Sequence, residues 1–178
     1  MSILLISGST RAGSTNTAVL RTAAAVDPDT VLHTGLAELP AFDPDDDVDP
    51  LPGPVARLRS LLADAEGVLV CTPEYAGALP GAMKNLLDWT VGGTGFRGKP
   101  TGWVNASSPA APTGGAGAHR ELATVLAYVE ARIVAGACRR VALGRGDVGA
   151  DGLVDAARGE VTAALRALRE AAAAVPRP

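Results

Sequence analysis

The stretch SILLISGSTRAGSTN, residues 2–16, joins a short apolar run to a loop that is rich in glycine and hydroxyl side chains. The run from residue 3 to residue 7 has the length and composition of a buried β-strand. Gly8 and Gly13 permit tight turns, and the Ser-Thr-Asn sequence at residues 14–16 is typical of a helix start. A buried strand that leads through a glycine loop into a helix is the first unit of an α/β fold with a parallel sheet.

The rest of the chain continues this alternation of apolar runs and segments of helical period. We predict strands at residues 3–7, 31–33, 67–71, 100–105 and 139–143. We predict helices at residues 15–25, 55–65, 80–91, 118–133 and 155–174. This order predicts an α/β protein with a flavodoxin-like doubly wound sheet of five parallel strands, in the order 2-1-3-4-5, with helices on both faces. No linker or repeat divides the sequence, so residues 1–178 are expected to form a single domain.

Charge and cysteine content argue against several classes of function. The 178 residues include 16 basic and 19 acidic side chains, and the basic residues are scattered, which is unlike a nucleic-acid or membrane surface. Cys71 and Cys138 are too few for a disulfide framework, and no apolar stretch reaches the roughly 18 residues of a membrane-spanning helix. We therefore expect a cytoplasmic protein with a small-molecule partner, and neither a nucleic-acid nor a membrane partner.

The loop after the first strand has the chemistry of an anion site. Gly8 and Gly13 have the spacing of a triphosphate-binding P-loop, but Ser14 stands where that motif has its lysine. A helix start exposes unpaired N–H groups and the positive end of the helix dipole, which favour an anion. Hydroxyl, amide and guanidinium donors accompany them, at Ser9, Arg11, Ser14, Thr15 and Asn16. The set suits one terminal phosphate, although an ordinary helix cap would use similar residues.

The loop after the third strand is built to hold a fixed shape. Pro73 and Pro80 restrict the backbone, while Gly77 permits a positive φ angle. Its N–H groups are therefore expected to face the edge of a flat heteroaromatic ring, with Tyr75 as a wall and Glu74 fixing the loop through hydrogen bonds. The simpler alternative is that Tyr75 only packs and Glu74 is a solvated charge.

Together, GSTRAGSTN at residues 8–16 and PEYAGALPGAMKNLLDW at residues 73–89 resemble the NADPH-dependent FMN reductase family of flavodoxin-like proteins. The resemblance implies that the first loop binds the FMN phosphate, through Ser9, Arg11, Ser14, Thr15 and Asn16. It implies that the second loop holds the isoalloxazine and ribityl groups, through Pro73, Glu74, Tyr75, Ala76 and Gly77. It further implies that the loop after the fourth strand covers the pyrimidine side of the ring, through Ala106, Ser107, Gly114 and Gly115.

Ala76 departs from the family pattern, because many members have Asn at this position. Its side chain has no donor or acceptor, so only its N–H group is available to the ring. A flavin held more loosely would suit a reductase that releases reduced FMN to a partner.

The resemblance implies an NAD(P)H-dependent oxidoreductase with FMN as its cofactor and NADPH or NADH as its co-substrate. Hydride would pass from NAD(P)H to FMN and then to a second acceptor, such as free flavin or a quinone, with no catalytic side chain and no metal. A homodimer or homotetramer is also expected, with Leu86, Leu87 and Trp89 as its apolar contact. Two alternatives remain open, a flavodoxin-like electron carrier and a non-redox module that binds flavin or nucleotide.

Other noticeable residues receive simpler interpretations. The acidic stretch FDPDDDVDP, residues 42–50, lacks the glycine and glutamate positions of an EF-hand loop and is expected to be a solvated connection. His119 is expected to be exposed near the start of a helix, and we assign it no role as an acid or a ligand.

Overall fold

The structure, a computed structural model, describes residues 2–174, and within them the chain forms one five-stranded parallel sheet in the order β2-β1-β3-β4-β5. The strands are β1 (Ile3–Ser7), β2 (Thr30–His33), β3 (Gly67–Cys71), β4 (Pro100–Ser107) and β5 (Arg132–Ala142). The α-helices are α1 (Thr15–Val26), α2 (Gly53–Asp64), α3 (Gly81–Asp88), α4 (Ala116–Tyr128) and α5 (Arg158–Ala173). Short 3-10 helices occupy Gly35–Glu38, Pro44–Asp46, Arg145–Asp147 and Asp155–Ala157. The predicted fold class and strand order are confirmed.

The alternation of side chains along the central strands gives the sheet two separate apolar faces. Leu4 and Ile6 of β1 face the layer formed by α2, α3 and α4. Ile3 and Leu5 of the same strand face the layer formed by α1 and α5. Both faces of β1 and β3 are therefore buried, which explains why these strands are continuous apolar runs in the sequence.

The prediction for residues 118–143 was wrong in its boundaries. Helix α4 ends at Tyr128, five residues before the predicted end, and β5 already begins at Arg132. Glu130 has a φ of 59°, a left-handed conformation that stops the helix. The Glu130 carbonyl also accepts a hydrogen bond from the Gly98 N–H group at 2.8 Å, which aligns the start of β5 with β4. The apolar residue at 133 therefore belongs to a strand rather than to a helix.

The predicted apolar contact between subunits was also wrong. Leu86, Leu87 and Trp89 are fully buried in the core beneath α3. Trp89 packs edge-on against Phe42 with ring centroids 5.0 Å apart, and its indole N–H donates to the Pro40 carbonyl at 2.9 Å. These side chains stabilise the fold of one chain and are not available to a second one.

None of the helices in the described range is long and apolar enough to cross a membrane.

The close approach of β4 and β5 generates a prediction about stability. A Cβ atom on Gly102 would lie 2.4 Å from the Ala137 Cβ and 2.8 Å from the Ala137 carbonyl oxygen. Gly102→Ala should therefore destabilise the protein by about 1–3 kcal/mol, because the two strands must separate.

The control is Gly159→Ala in the first turn of α5, where a Cβ atom would meet nothing within 4 Å. This change should be neutral or stabilise by up to about 1 kcal/mol. Urea denaturation measures both variants, and equal stability of the two would contradict the predicted packing of β4 against β5.

Candidate functional site

The loops that follow β1, β3, β4 and β5 converge at the carboxyl edge of the sheet, around a cleft of about 530 Å³. This is the position at which doubly wound sheets bind ligands. The sequence-predicted residues on its wall are Ser9, Arg11, Ser14, Thr15, Asn16, Pro73, Glu74, Tyr75, Ala76, Gly77, Ala106, Ser107 and Gly115. Gly114 instead lies on the wall of an adjoining pocket, on the other side of the same loop.

One end of the cleft is an array of hydrogen-bond donors at the start of α1. The Ser9 hydroxyl oxygen accepts from the Arg11 N–H group at 3.3 Å, and the Ser14 hydroxyl oxygen accepts from the Thr17 N–H group at 3.4 Å. Each hydroxyl proton therefore remains available to donate into the cleft. The first turn of α1 also contains no acidic side chain, so nothing on the helix itself offsets the positive end of its dipole.

Asn16 fixes this helix start against the ends of two strands. Its side-chain oxygen accepts from the Cys71 thiol at 3.3 Å and from the Ala106 N–H group at 3.4 Å. Burial raises the pKa of the Cys71 thiol, which keeps it protonated and able to donate. A further hydrogen bond of 2.7 Å joins the Ser7 and Thr17 hydroxyls. Asn16 therefore both lines the cleft and ties the first turn of α1 to β3 and β4.

The second loop is a two-residue hairpin that reverses the chain beside the cleft. Tyr75 and Ala78 exchange two backbone hydrogen bonds of 3.0 Å. The residues between them, Ala76 and Gly77, have φ angles of 51° and 76°, as in a type I′ turn. Glycine adopts this conformation freely, but alanine does so only at a cost in free energy. The predicted positive φ at Gly77 is confirmed, whereas the strained conformation of Ala76 was not predicted.

Glu74 joins the second loop to the third. Its carboxylate accepts hydrogen bonds from the Thr113 hydroxyl and from the Ala118 N–H group, the latter at 3.0 Å. The hydrogen bond from Thr113 is the largest influence that lowers the pKa of the Glu74 carboxyl. The packing beside it is tight, because a Cβ atom on Gly117 would lie 1.8 Å from the Gly77 carbonyl oxygen. The prediction that Glu74 fixes its loop through hydrogen bonds is thus confirmed.

Sequence reasoning missed the part of the cleft wall that β5 and the third loop contribute. These residues are Ser108, Ala111, Pro112, Thr113, Leu143, Gly144 and Arg145. The hydrogen bond from the Leu143 N–H group to the Ser107 carbonyl, 2.8 Å long, brings the segment after β5 to the cleft. Arg145 adds a second guanidinium group to the one predicted at Arg11. The predicted topology could have indicated these residues, because the carboxyl ends of all parallel strands lie at the same edge of the sheet.

His119 is half-buried rather than exposed, contrary to the prediction from its place near a helix start. Its Nδ1 atom accepts a hydrogen bond of 2.8 Å from the indole N–H of Trp103, and the two rings meet edge-on with centroids 5.1 Å apart. Burial, followed by the nearby Arg140 guanidinium, lowers the pKa of His119. His119 is half-buried because α4 places its ring against Trp103 of β4.

The acidic stretch is not solvated throughout. Asp47 forms a salt bridge of 2.7 Å with Arg59, and its side chain is only 13% exposed. Arg59 in turn donates to the Trp89 carbonyl at 2.8 Å. This part of the stretch therefore anchors the chain against α2 and the end of α3.

With this geometry established, comparison with known proteins gives a consistent result. Residues 1–143 match the family model of NADPH-dependent FMN reductases. The chain belongs to this family. It is accordingly an NAD(P)H-dependent oxidoreductase whose cofactor is FMN.

Individual relatives agree with this assignment. The chain is 29% identical to a quinone reductase of Escherichia coli K12 over 140 residues, which are 75% of this chain and 73% of the relative. It is 32% identical to a 2-hydroxy-1,4-benzoquinone reductase of a Burkholderia species over 135 residues, which are 73% and 72% of the two chains. In fold, it matches the flavoenzyme NAD(P)H:(acceptor) oxidoreductase of Paracoccus denitrificans with a TM-score of 0.81, 24% identity and coverage of 95% and 97%.

The donor groups and the backbone conformation of the cleft residues suit FMN. Hydroxyl and N–H donors with one guanidinium suit a phosphate that carries about two negative charges at neutral pH. The hairpin at Ala76 and Gly77 leaves exposed backbone where a flat ring can approach closely, and the buried Gly115, whose φ is 80°, lines the same cleft without a side chain. We therefore expect the phosphate at the start of α1 and the ring between the second and third loops.

The strain at Ala76 yields a stability prediction. Ala76→Asn should stabilise the protein by about 1 kcal/mol, because Asn tolerates the left-handed conformation that costs alanine free energy. Thermal denaturation measures the change. Ala78→Asn, at the neighbouring hairpin position without a positive φ, serves as the control and should give no gain. A similar gain in both variants, or none at Ala76, would contradict this account of the turn.

The lowered pKa of Glu74 predicts a dependence of stability on pH. A carboxyl whose pKa is lower in the folded state stabilises that state above its ordinary value of 4.5, and this stabilisation is lost as pH falls through the lowered value. Glu74→Gln should therefore be less stable than the wild type at pH 7, and the difference should shrink below pH 4.5.

Thermal denaturation at a series of pH values from 3 to 7 tests this prediction. Glu170→Gln, on the exposed side of α5, is the control and should stay close to the wild type throughout. A gap between Glu74→Gln and the wild type that does not change with pH would show that the carboxylate charge contributes nothing.

Proposed function

We propose that the cleft at the carboxyl edge of the sheet binds FMN, and that the protein reduces a quinone or a free flavin there at the expense of NAD(P)H. The observation that carries this proposal is the donor array at one end of the cleft, where two serine hydroxyls and the start of α1 face the same space. When bound, FMN supplies the chemistry of accepting hydride from a nicotinamide and passing electrons to the acceptor.

The residues of the first loop would hold the phosphate. Ser9, Ser14 and Thr15 offer hydroxyl protons, and the guanidinium of Arg11 balances part of the negative charge. Because Asn16 fixes the helix start to β3 and β4, the donors keep their positions before the ligand arrives. Such preorganisation reduces the ordering cost of binding.

The second and third loops would hold and orient the ring. The N–H groups of Ala76 and Gly77 lie in a turn with a fixed conformation, and Glu74 ties this turn to Thr113 and to the start of α4. Exposed N–H groups can hydrogen-bond to the edge of an isoalloxazine and stabilise the negative charge that develops on reduction. The catalytic contribution of the protein would then be orientation and electrostatics, without a side chain that acts as acid or base.

The identity of the acceptor is inferred from the open cleft and from the relatives. Tyr75 is 56% exposed beside the cleft, so one wall of the site is an aromatic side chain that faces solvent. A flat apolar acceptor can pack against such a wall. Both curated relatives described above are named for the reduction of quinones, which supports a quinone as the acceptor here.

We also propose that the protein works in the cytoplasm as a homodimer or homotetramer. Cys71 and Cys138 are both free thiols, which suits a reducing compartment. Since the core buries the side chains of α3 that were expected at the contact, a different surface must be used. Val91 and Tyr128, which are 52% and 79% exposed, offer apolar area near one another on the wall of a shared pocket.

Addition of FMN and NADPH to the purified protein without oxygen tests the proposed activity. We expect a yellow complex whose visible absorbance decreases when NADPH is added and returns when a benzoquinone is added. A protein that takes up no flavin at saturating FMN would contradict the proposal. A complex that binds FMN but is not reduced by NADPH would favour the electron-carrier alternative.

The proposed contact between Arg11 and the FMN phosphate can be tested by substitution. Arg11→Ala should weaken the binding of FMN by about tenfold or more, since a charge-assisted hydrogen bond contributes about 1.5–3 kcal/mol. Binding of riboflavin, which lacks the phosphate, should change little. Fluorescence titration with both ligands measures the two affinities.

Arg166→Ala is the matched control, because Arg166 is an exposed arginine of α5 away from the cleft. It should leave both affinities unchanged. Equal losses for FMN and riboflavin in Arg11→Ala would show that Arg11 does not contact the phosphate.

A further inference from the structure

A second pocket of about 520 Å³ adjoins the proposed flavin cleft. The two spaces share Ser107 and Ser108, so they lie on either side of the segment that follows β4. The second pocket also runs along the carboxyl half of β5, which is an edge strand of the sheet. A ligand that extends out of the cleft past Ser107 and Ser108 would therefore meet the second pocket.

This second pocket has an excess of positive charge. Arg139 and Arg140 line it, and Arg145 lies on the neighbouring wall of the cleft. Its acidic residue is Glu160, which is 3.7 Å from the Arg139 guanidinium, too far for a hydrogen bond. Within residues 2–174 no carboxylate forms an ion pair with Arg140, so its charge is available to a ligand.

His119 also lines this pocket, and a hydrogen bond defines its tautomer. The indole N–H of Trp103 can only donate, so the Nδ1 atom that accepts from it carries no proton. In the neutral ring the proton is then on Nε2. Burial and the Arg140 charge lower the pKa of His119, which keeps the ring neutral at pH 7. The pocket thus combines guanidinium groups, an imidazole N–H and the hydroxyl of Ser107, all of which suit a phosphate.

We propose that this second pocket binds the 2′-phosphate of the reductant and makes the enzyme prefer NADPH to NADH, with Arg140 as the residue that determines the preference. The inference rests on the proposed function, since the nicotinamide must reach the flavin cleft. Its adenosine end must then extend past the shared segment at Ser107 and Ser108. A phosphomonoester is present at that end of NADPH and absent from NADH, so a cationic pocket there distinguishes the two.

Binding of adenosine 2′,5′-bisphosphate to the FMN-loaded protein tests the pocket without turnover. Calorimetry should show binding at least about tenfold tighter than that of adenosine 5′-monophosphate, and Arg140→Ala should remove the difference. Arg166→Ala should leave it unchanged. Equal affinities for the two nucleotides in the wild type would overturn the inference.

The phosphate in the second pocket could belong to NADPH or to an anionic acceptor, and steady-state kinetics distinguish these two ligands. Arg140→Ala should raise the KM for NADPH by about tenfold or more and leave kcat and the KM for NADH unchanged. If Arg140→Ala raises the KM for NADPH and the KM for NADH equally, Arg140 does not bind the 2′-phosphate. If adenosine 2′,5′-bisphosphate inhibits competitively against the acceptor but not against NADPH, the pocket binds the acceptor, and the inference is contradicted. If the wild type oxidises neither nicotinamide, the proposed function itself fails; if it oxidises NADH but does not bind the bisphosphate, only this inference fails.

Discussion

The site depends on two hydrogen bonds that the Asn16 side-chain oxygen accepts. They join the start of α1 to the ends of β3 and β4, in a position that is almost completely buried. A buried carbonyl oxygen without partners would cost free energy, so the helix start is held at one place relative to the sheet. The positive end of the helix, the hydroxyls beside it and the strand ends therefore face a common cleft before any ligand binds.

On the far side of the cleft, hydrogen bonds and close packing between neighbouring segments likewise hold the loops in place. The second loop contains strain at Ala76, and it stays in place because its neighbours restrain it. Glu74 accepts hydrogen bonds from the third loop and from α4, and Gly117 packs directly against the Gly77 carbonyl. Strained backbone of this kind persists only where the surrounding structure determines it. The two loops thus act as one unit, and a substitution in either should alter the position of the other.

The sequence was sufficient for the fold and for most of the cleft, because both depend on local patterns. Continuous apolar runs identified β1 and β3, and the glycine and hydroxyl pattern at residues 8–16 identified a loop that lines the cleft. The sequence was not sufficient where tertiary contacts determine the end of a helix or the exposure of a side chain. The end of α4 depends on the conformation of Glu130 and its bond to Gly98, and the exposure of His119 depends on Trp103. Arg145 reaches the cleft only because β5 pairs with β4, which no local pattern records.

The central claim is that the start of α1 binds the phosphate while the second loop binds the ring. Amide chemical shifts of ¹⁵N-labelled protein, titrated in parallel with FMN and riboflavin, measure this division directly. We predict that the amides of Ser14, Thr15 and Asn16 shift strongly with FMN and little with riboflavin, whereas those of Ala76 and Gly77 shift with both. If the amides at the start of α1 respond equally to the two ligands, or to neither, the phosphate does not bind there and the account is contradicted.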